Sequence, residues 1–160
     1  MIHLGILLLL LSYVNGDKIA LISAVHRHGA RTPAKFYPHD PHAHDYWPRC
    51  TGQLTNEGKR QEYELGLFFR KQYGNFIGTR YFANKTYYRS TNVDRTLMSA
   101  QLVCAGLFPP QGDDVWNSKL MWQPIPIHTV SIKNDYLLRG DANCPKYFRL
   151  YAEALKSSSN

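Results

Sequence analysis

The histidine loop, Arg27 to Pro33 (RHGARTP), places two guanidinium groups on either side of an imidazole. It follows a short apolar run, Ile19 to Val25, so it lies on a turn fed by a predicted strand. A neutral imidazole attacks phosphorus well and gives a phosphohistidine that water can hydrolyse. Guanidinium groups bind phosphate oxygens with a bidentate geometry that lysine cannot copy. The loop therefore predicts a phosphate-accepting nucleophile at His28, with Arg27 and Arg31 holding the phosphate.

Two predicted strands feed candidate site loops. Lys18 to Val25 has the pattern of a buried strand that ends at the histidine loop. Thr86 to Ser90 has the pattern of a second strand, and the polar segment after it runs to Arg95. Because an α/β sheet carries its active groups at the carboxyl ends of its strands, we expect these two loops to meet.

Three helical segments accompany the strands. Residues at three- and four-residue spacing predict a helix from Thr55 to Tyr73, with Thr55 as its N-cap. A second helix is predicted to start after a cap at Thr91 or Asn92 and to run to about residue 107, and a third spans residues 145 to 156. The order strand, helix, strand, helix predicts parallel βαβ units in a layered α/β domain.

Two further assignments follow from composition and spacing. Trp122 to Ile132 contains prolines that favour an edge strand or a groove wall over a central strand. The aromatic residues of the first helix recur at helical spacing, and we expect them to form core and not a cofactor site: Tyr63, Phe68, Phe69 and Tyr73.

The composition suits a globular domain with a basic surface. The chain has 160 residues, of which 44% are hydrophobic and 13% aromatic, enough for a core and against disorder. The formal net charge of +7 favours anionic substrates. Because no run of Lys and Arg is longer than two residues, nucleic acid is not predicted as a partner.

The first 16 residues have the pattern of a secretory signal. An apolar block from Ile2 to Leu11 precedes a small-residue cleavage site at Val14 to Gly16. The block is far shorter than the roughly 20 residues of a membrane span, so no membrane anchor is expected. The phosphate-binding domain is then expected to span residues 17 to 160. Asn84 begins an N-glycosylation acceptor, Asn-Lys-Thr, which agrees with export.

Three cysteines leave at least one thiol unpaired, or paired with a partner elsewhere. Cys104 lies in an apolar helical pattern and is predicted to be a buried thiol. Cys144 lies in a polar turn and is the better disulfide candidate. The pairing of Cys50 is left open.

The loop between residues 36 and 52 is predicted to be a solvated surface and not a metal site. A loop without a geometric frame seldom fixes a metal ion, although this one is rich in metal-ligating residue types: His39, Asp40, His42, His44 and Asp45. No metal and no cofactor are therefore expected. His26 precedes the nucleophile on its strand, and we expect it to pack there or to support the site residues from behind, without direct chemistry.

Four segments together resemble the histidine acid phosphatases, and their prostatic and lysosomal subgroup more than the phytases. They are RHGARTP from Arg27, RSTNVDRTLMSA from Arg89, WQPIPIH from Trp122 and GQLT from Gly52. The resemblance runs from about residue 18 to residue 156. It implies an α/β fold in the form of a three-layer α/β/α domain of the phosphoglycerate mutase type.

The resemblance also implies a function and a site. It implies one phosphate acceptor and three phosphate ligands: His28, Arg27, Arg31 and Arg95. The assignment of Arg95 comes from the second motif and not from spacing. The implied activity is acid phosphatase, acting on small phosphate monoesters or phosphoproteins in a secreted or lysosomal setting. Asn92 stands where relatives often have Asp, and since Asn caps a helix equally well, we expect little effect.

One element of the family pattern is not assigned in this sequence. The family places a His-Asp pair late in the chain, after another strand, where the Asp protonates the leaving oxygen and the His helps to bind phosphate. The two His-Asp pairs here, at residues 39–40 and 44–45, lie in the polar loop, so neither is given that role. We therefore expect a domain incomplete at its C-terminus, with an open sheet edge that favours a homodimer.

The alternative hypothesis is a truncated secreted relative, catalytically weak or inactive, that binds phosphate or a partner. Without a general acid, the rate on poor leaving groups is expected to fall by about 10² to 10⁴.

Overall fold

The computed structural model describes residues 18–42, 47, 51–141 and 144–157. Three α-helices follow in order, α1 (Asn56–Ile77), α2 (Asp94–Leu107) and α3 (Pro145–Ser157). Short 3-10 helices occupy Gly112–Asp114 and Ile132–Asn134. No helix among the described residues is both long enough and apolar enough to cross a bilayer. The predicted signal segment lies outside these residues.

Helix α1 begins and ends at residues suited to its termini. Thr55 is the N-cap, as predicted, and its hydroxyl accepts a hydrogen bond from the Gly58 amide at 3.0 Å. The helix continues past the predicted end at Tyr73 to Ile77. It stops at Gly78, whose φ of +88° is a backbone conformation that glycine adopts without strain.

Helix α2 begins later than the sequence predicts. Its N-cap is Val93, which makes no side-chain capping bond, so the expected cap at Thr91 or Asn92 is wrong. The hydroxyl of Thr96 instead reaches back into the first turn and donates to the Val93 carbonyl oxygen at 2.7 Å. The predicted end at Leu107 is confirmed, as is the third helix, which spans Pro145–Ser157.

Glycines set the distance between α1 and α2, which pack directly against each other. A methyl group at Gly66 would overlap the carbonyl oxygen of Val103, and one at Gly106 would overlap that of Tyr63. The two helix backbones therefore touch at this crossing. Among the described residues, the buried hydrophobic side chains include these six: Leu54, Ala100, Val103, Cys104, Leu107 and Phe108.

The aromatic face of α1 is not its buried face. Tyr63 is 42% exposed and Phe68 is 52% exposed, so their prediction as core residues is wrong. The buried positions of the helix are Gly58, Glu62 and Gly66. Gly58 faces backbone of the histidine loop, and Gly66 faces backbone of α2, so neither position has room for a side chain.

The first predicted strand forms no sheet ladder among the described residues. Lys18 to Val25 is extended, but Leu21 is 82% exposed and Val25 is 86% exposed, which contradicts its assignment as a buried strand. A strand is stable only when its backbone groups and one face are covered by neighbours. Here residues 20–28 line a cavity of about 900 Å³ together with residues 83–91, in place of pairing with them.

Backbone pairing in the described part of the chain consists of two isolated bridges. Arg31 pairs with Leu54 in antiparallel fashion, and Arg89 pairs with His128 in parallel fashion. The second bridge places the proline-containing segment from Trp122 beside the second motif. The three-layer α/β/α arrangement stays a prediction.

Gly106→Ala should lower the free energy of unfolding by roughly 1–3 kcal/mol, because the new methyl group forces α1 and α2 apart. Gly74→Ala is the matched control, since nothing lies within 4 Å of its Cβ position on α1. That variant should gain up to about 1 kcal/mol from the higher helix propensity of alanine. Urea unfolding followed by circular dichroism measures both changes. A Gly106→Ala variant as stable as the wild type would contradict the close crossing.

Candidate active site

The histidine loop is held on the first turns of α1. The amide and the hydroxyl of Thr55 donate to the Ala30 carbonyl oxygen at 3.0 and 3.1 Å. The Ala30 amide donates to Oε1 of Gln61 at 2.9 Å. The backbone of the loop touches the backbone of α1. A methyl group on Gly29 would overlap Gly58, and a methyl group on Gly58 would overlap Ala30. The loop is therefore fixed relative to the helix at several points.

The far end of the loop pairs with the segment GQLT, which the family resemblance had singled out. The Thr32 amide donates to the Gln53 carbonyl oxygen at 2.9 Å. The Gln53 amide in turn donates to the Thr32 hydroxyl at 3.1 Å. Thr32 is 2% exposed, so this exchange satisfies polar groups that are shielded from water. The contribution of GQLT to the site is thus to position the loop.

Ser99 links the histidine loop to the second motif. Its hydroxyl accepts from the Gly29 amide at 3.4 Å and donates to the Arg95 carbonyl oxygen at 2.8 Å. The side chain is 1% exposed. Sequence analysis gave no role to Ser99, although its position one helical turn after Arg95 places both on the same side of α2.

The imidazole of His28 is held in one orientation by its own loop. Its Nδ1 lies 2.8 Å from the carbonyl oxygen of Gly29. Because a carbonyl oxygen only accepts hydrogen bonds, this contact requires a proton on Nδ1. In the neutral ring the lone pair is then on Nε2. His28 is half-buried, so its second nitrogen is the one available to an incoming group.

Arg27, His28 and Arg31 line one open cavity of about 520 Å³. Arg31 donates from Nη1 to the Thr32 carbonyl oxygen at 2.8 Å, while its buried Nε has no acceptor within the described part of the chain. A buried donor without a partner costs free energy, which an anionic ligand would recover. The cavity therefore combines a free imidazole nitrogen with two cationic side chains.

Arg95 is placed differently from the other three predicted site residues. Its Nη1 would lie 3.6 Å from a Cβ at Gly52, in the segment GQLT. Its Nε is buried and has no hydrogen-bond partner among the described residues. Within that part of the chain, Arg95 lines neither of the two cavities described above. Its role as a phosphate ligand stays a prediction.

Residues 18–159 match the histidine phosphatase superfamily, branch 2. The chain belongs to this family. Prostatic acid phosphatase of Rattus norvegicus is 46% identical over 158 residues, which cover 96% of this chain and 42% of that protein. Lysosomal acid phosphatase of Bos taurus is 44% identical over 151 residues, which cover 94% of this chain and 36% of that protein. The chain thus spans about two fifths of the length of these relatives.

These relatives confirm the resemblance to the prostatic and lysosomal acid phosphatases that the four sequence segments indicated. Among solved structures, a phytase from Citrobacter braakii covers 51% of this chain and 23% of its own, with a TM-score of 0.42 and 28% identity. A likeness of that extent does not define the arrangement of the sheet.

Arg89, the first residue of the second motif in this member of the histidine phosphatase superfamily, forms a buried ion pair. Its Nη2 donates to Oδ1 of Asp135 at 2.7 Å, and Asp135 is 0% exposed. The Leu138 amide donates to the same oxygen at 3.2 Å. The pair fixes the segment that leads to Arg95. Sequence analysis missed Asp135, since 46 residues separate it from Arg89 and no local pattern connects them.

No group of three or more His, Cys, Asp or Glu is placed to hold a metal ion in the residues that the structure describes. His44, Asp45 and Cys50 lie outside those residues. Cys104 is buried, as predicted, and burial raises the pKa of its thiol to about 12. Cys144 is half-buried and carries a free thiol, so a disulfide is not shown.

A buried carboxyl group lies beneath the histidine loop. Oε2 of Glu62 is 3.1 Å from Nδ1 of His26, and the Glu62 side chain is 5% exposed. Burial raises the pKa of the Glu62 carboxyl above its usual value, and the nearby imidazole offsets only part of that rise. Of the two roles expected for His26, packing or a supporting contact behind the site, the structure shows a polar contact with Glu62.

The Glu62 carboxyl should make the fold more stable at acidic pH. Because its pKa is raised in the folded protein, its contribution is fully present below the pKa of the unfolded chain and is lost as the pH rises through the folded pKa. Glu62→Gln is neutral at every pH, so the free energy of unfolding of this variant should rise relative to that of the wild type as the pH rises above the ordinary carboxyl range. Chemical denaturation at several pH values measures this.

Glu64→Gln, at an exposed position of the same helix, serves as the control and should follow the wild type. Parallel pH profiles for wild type and Glu62→Gln would show that the pKa of Glu62 is not raised on folding.

Proposed function

We propose that this protein is an acid phosphatase that hydrolyses phosphate monoesters through a phosphohistidine at His28. The observation that carries the proposal is the contact between Nδ1 of His28 and the Gly29 carbonyl oxygen, which leaves Nε2 as the free nucleophile. Arg27 and Arg31 line the same cavity and supply the positive charge that a phosphoryl group requires. Family membership and the acid phosphatase relatives support the same activity.

The proposed reaction has two displacements at phosphorus. The Nε2 lone pair of His28 forms an N–P bond while the ester P–O bond breaks, and the leaving oxygen keeps the bonding electrons and takes up a proton. Water then attacks the phosphoryl group and gives up one proton, while the N–P bond breaks and its electrons return to Nε2. Inorganic phosphate leaves, and the proton from water replaces the one that the leaving oxygen took up. The products are an alcohol and phosphate, with the guanidinium groups stabilising charge on the phosphoryl oxygens throughout.

Small phosphate monoesters and phosphoproteins are the proposed substrates. The family resemblance implies a carboxylic general acid in a His-Asp pair that is not assigned in this sequence; such an acid must be protonated to act, which favours acidic pH. His39-Asp40 stays unassigned to this role, since both residues lie in a turn outside the lining of the 520 Å³ cavity.

His28→Ala should lower kcat for aryl phosphate hydrolysis by about 10⁴-fold or more, because the nucleophile is lost. His42→Ala is the matched control, as His42 is exposed and lies outside the cavity, and it should retain wild-type kinetics. The secreted protein and both variants are compared in a steady-state assay at acidic pH. Equal activity of wild type and His28→Ala would remove His28 from the mechanism.

The second candidate function is phosphate or partner binding with weak turnover or none. It is favoured by the lining of the 520 Å³ cavity, in which the described residues include no carboxyl group that could act as proton donor. A phosphatase with its general acid should hydrolyse dinitrophenyl and alkyl phosphates at similar rates. A chain without one should lose about 10² to 10⁴ in rate on the alkyl ester alone. Vanadate binding without hydrolysis of either ester would establish the binding function in place of catalysis.

We also propose secretion or delivery to lysosomes, with residues 1–16 as a cleaved signal. Asn84 is exposed in a turn, which agrees with its proposed glycosylation. A homodimer is proposed to form through the unpaired extended segment Lys18 to Val25, whose backbone edge suits strand pairing.

A further inference from the structure

Gln61 is set apart from the other residues around the smaller cavity. Five of the six residues that line the 520 Å³ cavity belong to the histidine loop, and Gln61 is the sixth, from helix α1. It is exposed on the helix surface. Its position at the predicted phosphate cavity makes its amide group a candidate for contact with the substrate.

The orientation of the Gln61 amide is determined by its partner. The Ala30 backbone N–H lies 2.9 Å away and only donates, so the atom that accepts from it is Oε1. Nε2 is then fixed on the other branch of the amide. This nitrogen makes no hydrogen bond within the described part of the chain, so both of its N–H groups are available.

The histidine loop has few backbone donors left for a phosphate. The amide of Gly29 donates to Ser99, that of Ala30 to Gln61, and that of Thr32 to Gln53. A phosphate in this cavity must therefore be held mainly by side chains. Arg27 and Arg31 supply charged donors, and the amide nitrogen of Gln61 is a neutral donor from a different element.

We propose that Gln61 is a phosphate-binding residue, with Nε2 donating to a phosphate oxygen while Oε1 holds the Ala30 amide. The proposal rests on the proposed phosphatase function of the same cavity. One side chain then couples the position of the histidine loop to the presence of the anion. The donor comes from the rigid helix α1, so it helps to fix the phosphoryl group for attack by His28.

Binding of inorganic phosphate to the full chain tests the proposal independently of turnover. Gln61→Ala removes both the donor and the acceptor, and it should weaken phosphate binding by roughly 10-fold in calorimetry. Gln61→Glu keeps an acceptor for the Ala30 amide but loses the donor. At about pH 6, where a carboxyl group is ionised, this variant should bind phosphate at least as weakly as the alanine variant.

Lowering the pH restores a proton to the introduced carboxyl group of Gln61→Glu. The difference in phosphate affinity between this variant and the wild type should then narrow as the pH falls below the ordinary carboxyl range. The controls are Gln72→Ala and Gln72→Glu, at an exposed position of the same helix away from the cavity. Both should bind phosphate as the wild type does, and circular dichroism confirms that all variants fold.

Three other outcomes would each overturn a defined claim. If the wild type and both Gln61 variants bind phosphate equally, Gln61 is not a phosphate-binding residue, and the phosphatase proposal is unaffected. If Gln61→Ala binds weakly but Gln61→Glu binds normally at about pH 6, Gln61 only holds the loop and donates nothing to phosphate. If the wild type binds no phosphate at all, the proposed function itself is overturned.

Discussion

Backbone contact through glycine is the constraint on which the site depends. Gly66 and Gly106 allow α1 and α2 to touch, and Gly29 and Gly58 allow the histidine loop to rest on the first turn of α1. A single methyl group at any of these four positions would overlap a backbone atom. Since overlap with backbone cannot be relieved by a rotamer change, these contacts fix α1 at one distance from both α2 and the loop.

Hydrogen bonds then link the packing of the helices to the orientation of the His28 side chain. Thr55 and Gln61 hold Ala30 from one side, and Ser99 holds Gly29 from the other. With its neighbours fixed in this way, the Gly29 carbonyl oxygen can orient the ring of His28. The reactivity of one nitrogen atom thus depends on helix packing well outside the cavity.

Two arginines of the site motifs, Arg89 and Arg31, have different roles. Arg89 is neutralised by the buried carboxylate of Asp135 and serves to hold the second motif in place. Arg31 has no ion-pair partner among the described residues and lines the 520 Å³ cavity beside His28, which suits it to an anion. Within the same cationic motifs, then, one guanidinium stabilises the structure while another stays available to a ligand.

The sequence predicted the helices well because their signals are local. The cap at Thr55, the end at Leu107 and the third helix each depend on residues within a turn or two of one another. The sequence did not predict which face of α1 is buried, because the helical spacing of Tyr63 and Phe68 indicated core positions and both side chains are exposed. Contact with another backbone rotates the helix so that glycines face inward, and helical periodicity cannot show what lies opposite.

The prediction of the first strand as buried failed for a related reason. Apolar residues from Ile19 to Val25 indicate a strand only if a neighbouring segment covers them, and the described residues leave this segment unpaired. Whether such a run is buried depends on partners that are distant in sequence.

The sequence by itself determined the chemistry that this protein can attempt, since the order of Arg27, His28 and Arg31 specifies an imidazole between two guanidinium groups. The tertiary structure alone decided which ring nitrogen is free and which arginine is available. It also decided that Gln61, Ser99 and Asp135 take part. Each of these depends on a hydrogen bond between residues far apart in the chain or on the orientation of a carbonyl group, and neither is encoded in local residue order.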